Sequence, residues 1–165
     1  MTAERRIRGG IVTTLLLALV AVAIAAWLAL SLACPCERTP GGWLFGEAAA
    51  APVDDWTFAN EVPLCQIQVY RWGVVPHSIN LNCMASQGTL YLSCAGCEGK
   101  VWSSAALAHP DARLRLDDRM FPVRLSRVTD PRVLDEAWNA RARKTGRGEG
   151  EPRQDGWWSF RVASR

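Results

Sequence analysis

The sequence predicts a mainly β fold: a small domain of curled antiparallel strands with two helices, preceded by a single transmembrane helix. Three observations lead there. A long apolar run lies near the N-terminus, period-two alternation recurs through the second half of the chain, and two stretches carry helix start and stop signals.

Ile11 to Ala33 runs for 23 residues without a charge. At ~1.5 Å per residue this is roughly 34 Å of helix, enough to cross a ~30 Å hydrocarbon core. A cleavable signal peptide has an apolar core of about 7–15 residues, so an uncleaved anchor fits better. Leu32-Ala33-Cys34 also resembles a lipoprotein cleavage site, although Ser31 stands where a branched aliphatic residue is preferred. Arg5, Arg6 and Arg8 precede the run, and Arg38 alone follows closely. The expected topology is single-pass in the inner (cytoplasmic) membrane, N-terminus inside, with the C-terminal domain periplasmic or extracellular. The expected organisation is residues 1–10 cytoplasmic, 11–33 anchor, 34–60 tether and 61–165 globular domain. The tether is read from its Pro, Gly and Ala content.

The whole chain carries 19 Lys and Arg against 16 Asp and Glu, and three of the cations precede the anchor. The exported part is therefore near neutral, which gives no basic face for a nucleic acid. Eight Trp in 165 residues is a high content. Most are expected to fill a small core or meet the membrane interface, and some to stack on a flat ligand.

Strand patterning begins after Val62. Cys65, Ile67 and Val69 alternate with Gln66, Gln68 and Tyr70, and Ile79, Leu81 and Cys83 alternate with Ser78, Asn80 and Asn82. A turn centred on Ser86-Gln87 would return the chain through Leu90, Leu92 and Cys94, opposing Cys83 to Leu90 and Ile79 to Cys94. A second hairpin turns at Asp117–Met120. Pairing Leu116 with Phe121 and Leu114 with Val123 places the aliphatics together, and sets Arg113 against Arg124, an unfavourable like-charge pair that solvent, first of all, or acidic helix residues or a bound anion would relieve. Lys100–His109, closed by Pro110, reads as a short helix. Asp130 as N-cap, Pro131 at the first position and a close at Lys144 to Gly146 define a longer one, with Leu134, Ala137 and Trp138 as its apolar stripe. Gly146–Gly156 reads as a mobile loop and Trp157–Val162 as the last strand. Strands joined by short antiparallel links suggest a barrel or a strongly curled sheet.

Gln87-Gly88-Thr89-Leu90-Tyr91-Leu92-Ser93, then Lys100, then Leu107-Ala108-His109-Pro110-Asp111-Ala112-Arg113-Leu114 resembles the flavin-binding split-barrel proteins. This is the pyridoxamine-phosphate-oxidase-like group, which includes the deazaflavin-dependent nitroreductases. Val128-Thr129-Asp130-Pro131 and Trp158-Ser159-Phe160-Arg161-Val162 extend the likeness across residues 61–164. It implies a split β-barrel, FMN or deazaflavin as cofactor, and a homodimer; a membrane-protein partner is the other expectation for an anchored chain. By the resemblance, Lys100 holds the cofactor phosphate, the strand ending at Ser93-Cys94 runs beside the ring, Asn80, Asn82 and Ser93 bond its edges, and Trp102 covers it. Two departures stand out. His109 replaces the group's Asn before Pro, and Arg71 is the sole candidate near the first strands for the arginines that complete the phosphate clamp.

Six cysteines in an exported chain invite disulfides. Cys94 and Cys97 are the best candidates for a local disulfide or redox dithiol. Cys83 and Cys94 are too far apart along the sheet to bridge, and Cys65 and Cys83 read as buried apolar thiols. Zinc would need two further ligands, and none converge in the sequence. Glu98 stands where covalent haem attachment would need His, and no catalytic carboxylate pair or triad is recognisable. The function expected first is a membrane-anchored binding or assembly module. A flavin or deazaflavin oxidoreductase is the alternative, and a thiol redox module using Cys94 and Cys97 is the third.

Overall fold

The computed structural model describes residues 3–32, 35 and 39–165. Cys34 and Cys36, with the question of lipidation, lie outside them. Helix α1 covers Ala3–Leu32, and its Val12–Leu30 segment is long and apolar enough to cross a membrane and is exposed throughout. The strands are β1 (Glu47–Ala48), β2 (Cys65–Arg71), β3 (Val75–Leu81), β4 (Cys83–Ser86), β5 (Thr89–Cys94), β6 (Asp111–Leu116), β7 (Arg119–Arg127) and β8 (Trp158–Ser164). Helix α2 covers Val101–Ala108 and α3 covers Pro131–Thr145.

One sheet runs in the order β3-β2-β6-β7-β8-β5-β4, with β1 added in parallel to β7. Its two ends, β3 and β4, are halves of one segment that bends at Asn82. The sheet therefore curls back on itself as a split barrel. The single strand expected over Ser78–Met84 is divided here because Leu81 faces β2 while Cys83 faces β5. The inward faces of the strands, with Ile67, Leu90, Leu114, Val123 and Phe160 all at 0% exposure, make the main core. A second cluster lies outside the barrel, where Ala137 and Trp138 of α3 cover Met84, Tyr91 and Trp157.

Both expected hairpin registers shift by two residues. Cys83 opposes Leu92 and Ala85 opposes Leu90, because Gln87 (φ 48°) and Gly88 (φ 77°) make the turn. Two successive residues at positive φ give the backbone twist that a two-residue hairpin loop needs. In the second hairpin Leu114 opposes Phe121 and Ala112 opposes Val123 around Asp117-Asp118. Arg113 then faces Pro122, and the anticipated like-charge pair does not occur. Arg124 opposes Asp111 and donates to its Oδ1 at 2.8 Å, while Arg165 reaches Oδ2 at 2.7 Å. A shift of two leaves every side chain on its original face, so the core survives the correction.

Much of the stretch read as a tether packs on the barrel. Gly41 bridges to Ser78, Leu44 is buried and its N–H donates to Gln68 Oε1 at 2.7 Å, and Trp56 and Ala59 enter the core. Gly46 lies so close to the second hairpin that a Cβ would meet the Asp118 carbonyl oxygen at 2.5 Å. Buried Leu44 and Trp56 each contribute on the order of 1.5–3 kcal/mol, which outweighs the weak structural preference of their Gly/Ala/Pro neighbours.

Helix α3 is bounded as its caps dictate. Asp130 accepts from Arg132 N–H at 2.8 Å, and Gly146 closes the end at φ 64°. Lys144 at its last turn donates to the carbonyls of Ala59 (2.8 Å) and Cys83 (2.6 Å), tying the helix to β4. Burial pushes its pKa down, with Glu61 opposing the shift. The loop expected to be mobile is held at two points, by Trp138 Nε1 donating to Glu151 O and by an Arg153–Asp135 ion pair, each at 2.9 Å.

Among the described residues two disulfides are present. Cys94–Cys97 is the local bridge the spacing suggested. Cys65–Cys83 corrects the reading of those residues as free buried thiols: the bend at Asn82 carries Cys83 beside the start of β2, with Cα atoms 5.8 Å apart. It crosses the seam where the two ends of the sheet meet.

Candidate functional site

The barrel is split where β3 and β5 come together without pairing, and the first turn of α2 stands over the gap. A cleft of about 490 Å³ opens there. Its apolar wall is Ile79, Leu81, Val101 and Trp102; its polar groups are His77, Asn80 and Lys100; Cys94 lies on the β5 side. Thr39 and Pro40 border it, because the bridge from Gly41 to Ser78 pulls the incoming chain along β3. A concave site of this size, mostly apolar with a few polar groups, suits a small flat molecule.

Each wall has a local cause. Lys100 is the N-cap of α2, in extended conformation, and its Nζ donates to the Ala95 carbonyl at 2.7 Å. Trp102, in the first turn of the helix, is 3% exposed and packs on Phe160 with ring centroids 5.1 Å apart. It thus belongs both to the core and to the cleft. Asn80 Oδ1 accepts from Gln66 Nε2 at 2.9 Å, which fixes its amide on the strand face. His77 has its pKa lowered below the ordinary 6.5, first by burial and then by the Arg71 charge. At neutral pH it is an uncharged donor and acceptor, and Lys100 is the sole Lys or Arg among the described residues lining the cleft.

Of the residues singled out from the sequence, Asn80, Cys94, Lys100 and Trp102 come together here. Asn82 and Ser93 do not. Asn82 sits exposed at the bend between β3 and β4. Ser93 points outward from β5, is 6% exposed, and shares a 3.0 Å hydrogen bond with Ser159 on β8. Strand periodicity explains both: Asn82 falls on the corner, and Ser93 has the opposite parity to Cys94. His77, Leu81 and Val101 were missed. The pairing of β3 as an edge strand reveals His77 and Leu81, the seating of α2 over the gap reveals Val101, and no local motif marks either. Among the described residues no three His, Cys, Asp or Glu side chains converge as metal ligands.

The residues at the cleft fit a flat ring better than a phosphate. A clamp for a phosphomonoester calls for several cationic or backbone donors, whereas this wall has one ammonium already committed to a carbonyl. Arg71, the other candidate, lies over the Trp72 ring at 4.6 Å and lines a neighbouring pocket that shares Gly99 and Val101 with the cleft, but it is not itself on the cleft wall.

No protein-family model and no curated protein matches the chain. Solved structures do. A conserved hypothetical protein from Mycobacterium tuberculosis is similar at TM-score 0.55 and 13% identity, over 72% of this chain and 86% of that one. A candidate 5-nitroimidazole antibiotic resistance protein from Bacteroides thetaiotaomicron gives 0.53 and 11%, over 69% and 82%. A candidate pyridoxamine 5′-phosphate oxidase from Listeria innocua gives 0.52 and 11%, over 65% and 87%. At these identities the likeness establishes the fold.

Proposed function

We propose, from the split-barrel fold of the pyridoxamine-phosphate-oxidase-like proteins, that this chain is a membrane-anchored binding module for a small flat ring ligand held in the β3–β5 cleft. The carrying observation is the composition of the wall: Ile79, Leu81, Val101 and Trp102 offer ring-sized apolar surface, with Lys100 as the lone cation among the described residues lining it. The apolar Val12–Leu30 helix and the arginines ahead of it support an inner-membrane anchor with the barrel outside the cytoplasm. A second reading, a flavin or deazaflavin oxidoreductase, draws on the fold of the structural neighbours, and a fold does not by itself fix chemistry.

Riboflavin and FMN separate the two. They share the ring and differ by the phosphate, so their affinity ratio reports the clamp. Titrated by quenching of protein fluorescence in the detergent-solubilised full chain, both are expected to bind, with affinities within about threefold of each other. FMN binding 100-fold or more tighter than riboflavin would reveal a phosphate site and favour the cofactor reading.

A further inference from the structure

The two disulfides differ in a way that assigns them different roles. Cys65 and Cys83 are both 0% exposed and join chain positions 18 residues apart across the barrel seam. Cys94 and Cys97 are 3 apart, with Cα atoms 5.5 Å from one another, and they are unequal: Cys97 is 0% exposed, whereas Cys94 is half-buried on the cleft wall. We propose that Cys94–Cys97 is a thiol–disulfide exchange site, attacked at Cys94 through the cleft by the dithiol of a partner protein, while Cys65–Cys83 is a permanent staple.

Three features beyond burial support this, and none depends on which ligand the cleft holds. The ring closed by the bridge contains exposed Ala95 and Gly96, and it is followed by Gly99. Both glycines have positive φ (54° and 74°), and nothing lies within 4 Å of where a Cβ would stand, so the turn has room to change as the bridge opens. Cys97 is docked on the start of α2: its carbonyl accepts from Lys100 N–H at 3.2 Å and from the Ser103 hydroxyl. Cys97 therefore stays anchored while the Cys94 side of the ring moves as the bridge opens. The Lys100 ammonium on the Ala95 carbonyl adds a positive charge beside the same ring.

The step balances with a protein dithiol as reductant. One partner thiolate attacks Cys94 Sγ, the Cys94–Cys97 bond breaks, and its electron pair leaves on Cys97 Sγ, which takes up a proton. The partner's second thiol then attacks the mixed disulfide and releases Cys94 as a thiol. Two electrons and two protons have moved to the pair, and the partner departs as a disulfide.

The test uses the full chain in detergent. It is titrated with dithiothreitol, quenched with acid and alkylated, and each cysteine is quantified by peptide mapping. Cys94–Cys97 is expected to be half-reduced at a dithiothreitol concentration at least tenfold below that needed for Cys65–Cys83. With oxidised glutathione, Cys97→Ser is expected to carry its adduct on Cys94, and Cys94→Ser to form an adduct on Cys97 at least tenfold more slowly. Joint reduction of the two pairs, or equal adduct formation on Cys94 and Cys97, would overturn the assignment. The wild-type titration decides by itself if either variant fails to fold.

Discussion

Cys65→Ala combined with Cys83→Ala is expected to lower stability by about 3 kcal/mol, the loss of loop-closure restraint for a cross-link spanning 18 residues. The bridge ties the start of β2 to the start of β4 across the bend at Asn82: Cys65 pairs with Leu81 on β3, while Cys83 has turned toward β5. Its sulfurs are inside the core, so the pair also fills volume that two alanines leave empty. For a domain of roughly 100 residues this corresponds to a fall in midpoint of roughly 12–24 °C, read by thermal unfolding of the full chain in detergent. Cys65 opposes Leu81, a cleft-wall residue, so loosening the seam also weakens riboflavin binding. A midpoint unchanged within a degree would mean that the seam is held by packing alone.

Phe160→Ala is expected to cost about 3–5 kcal/mol, as removal of a buried aromatic ring usually does. Phe160 is 0% exposed, opposes Leu92 on β5 and Arg127 on β7, and supports the Trp102 indole from beneath. Without that ring, Trp102 loses its floor and the apolar wall of the cleft sags inward. Riboflavin affinity is therefore expected to fall at least tenfold in detergent at a temperature where the variant remains folded. Phe160→Leu, which keeps most of the volume, is expected to cost about 1 kcal/mol and to retain binding. Equal loss of binding in both variants would detach Trp102 from the site.

What the sequence disclosed follows the physics of each signal. The alternation at Cys65, Ile67 and Val69 and the caps Asp130, Pro131 and Gly146 are local, and they locate β2 and α3 to within a residue or two. Register is less visible. The turn residues Gln87 and Gly88 decide it, and a hydrophobic pattern of period two is blind to a slip of two. The same blindness produced the supposed Arg113–Arg124 opposition; Arg124 in fact opposes Asp111 and pairs with it. Long-range closure left still less trace. Nothing near Asn82 announces a bend, so the Cys65–Cys83 bridge and the cleft roles of His77 and Leu81 emerge only once the barrel is closed. Leu44 and Trp56 were hidden by neighbours whose composition reads as linker. Cys94, Lys100 and Trp102 were reachable because the family-like motif fixes the positions of β5 and α2 along the chain, and Asn80 because it stands in the alternating stretch that becomes β3.

Amide hydrogen exchange of the full chain in detergent, with and without saturating riboflavin, tests the location of the site most directly. Slower exchange is expected in residues 77–81 and 99–102, with the outer cluster around α3 unchanged. Protection confined to α3 and β4, or none at a concentration where fluorescence shows binding, would place the ligand elsewhere and contradict the cleft as the binding site.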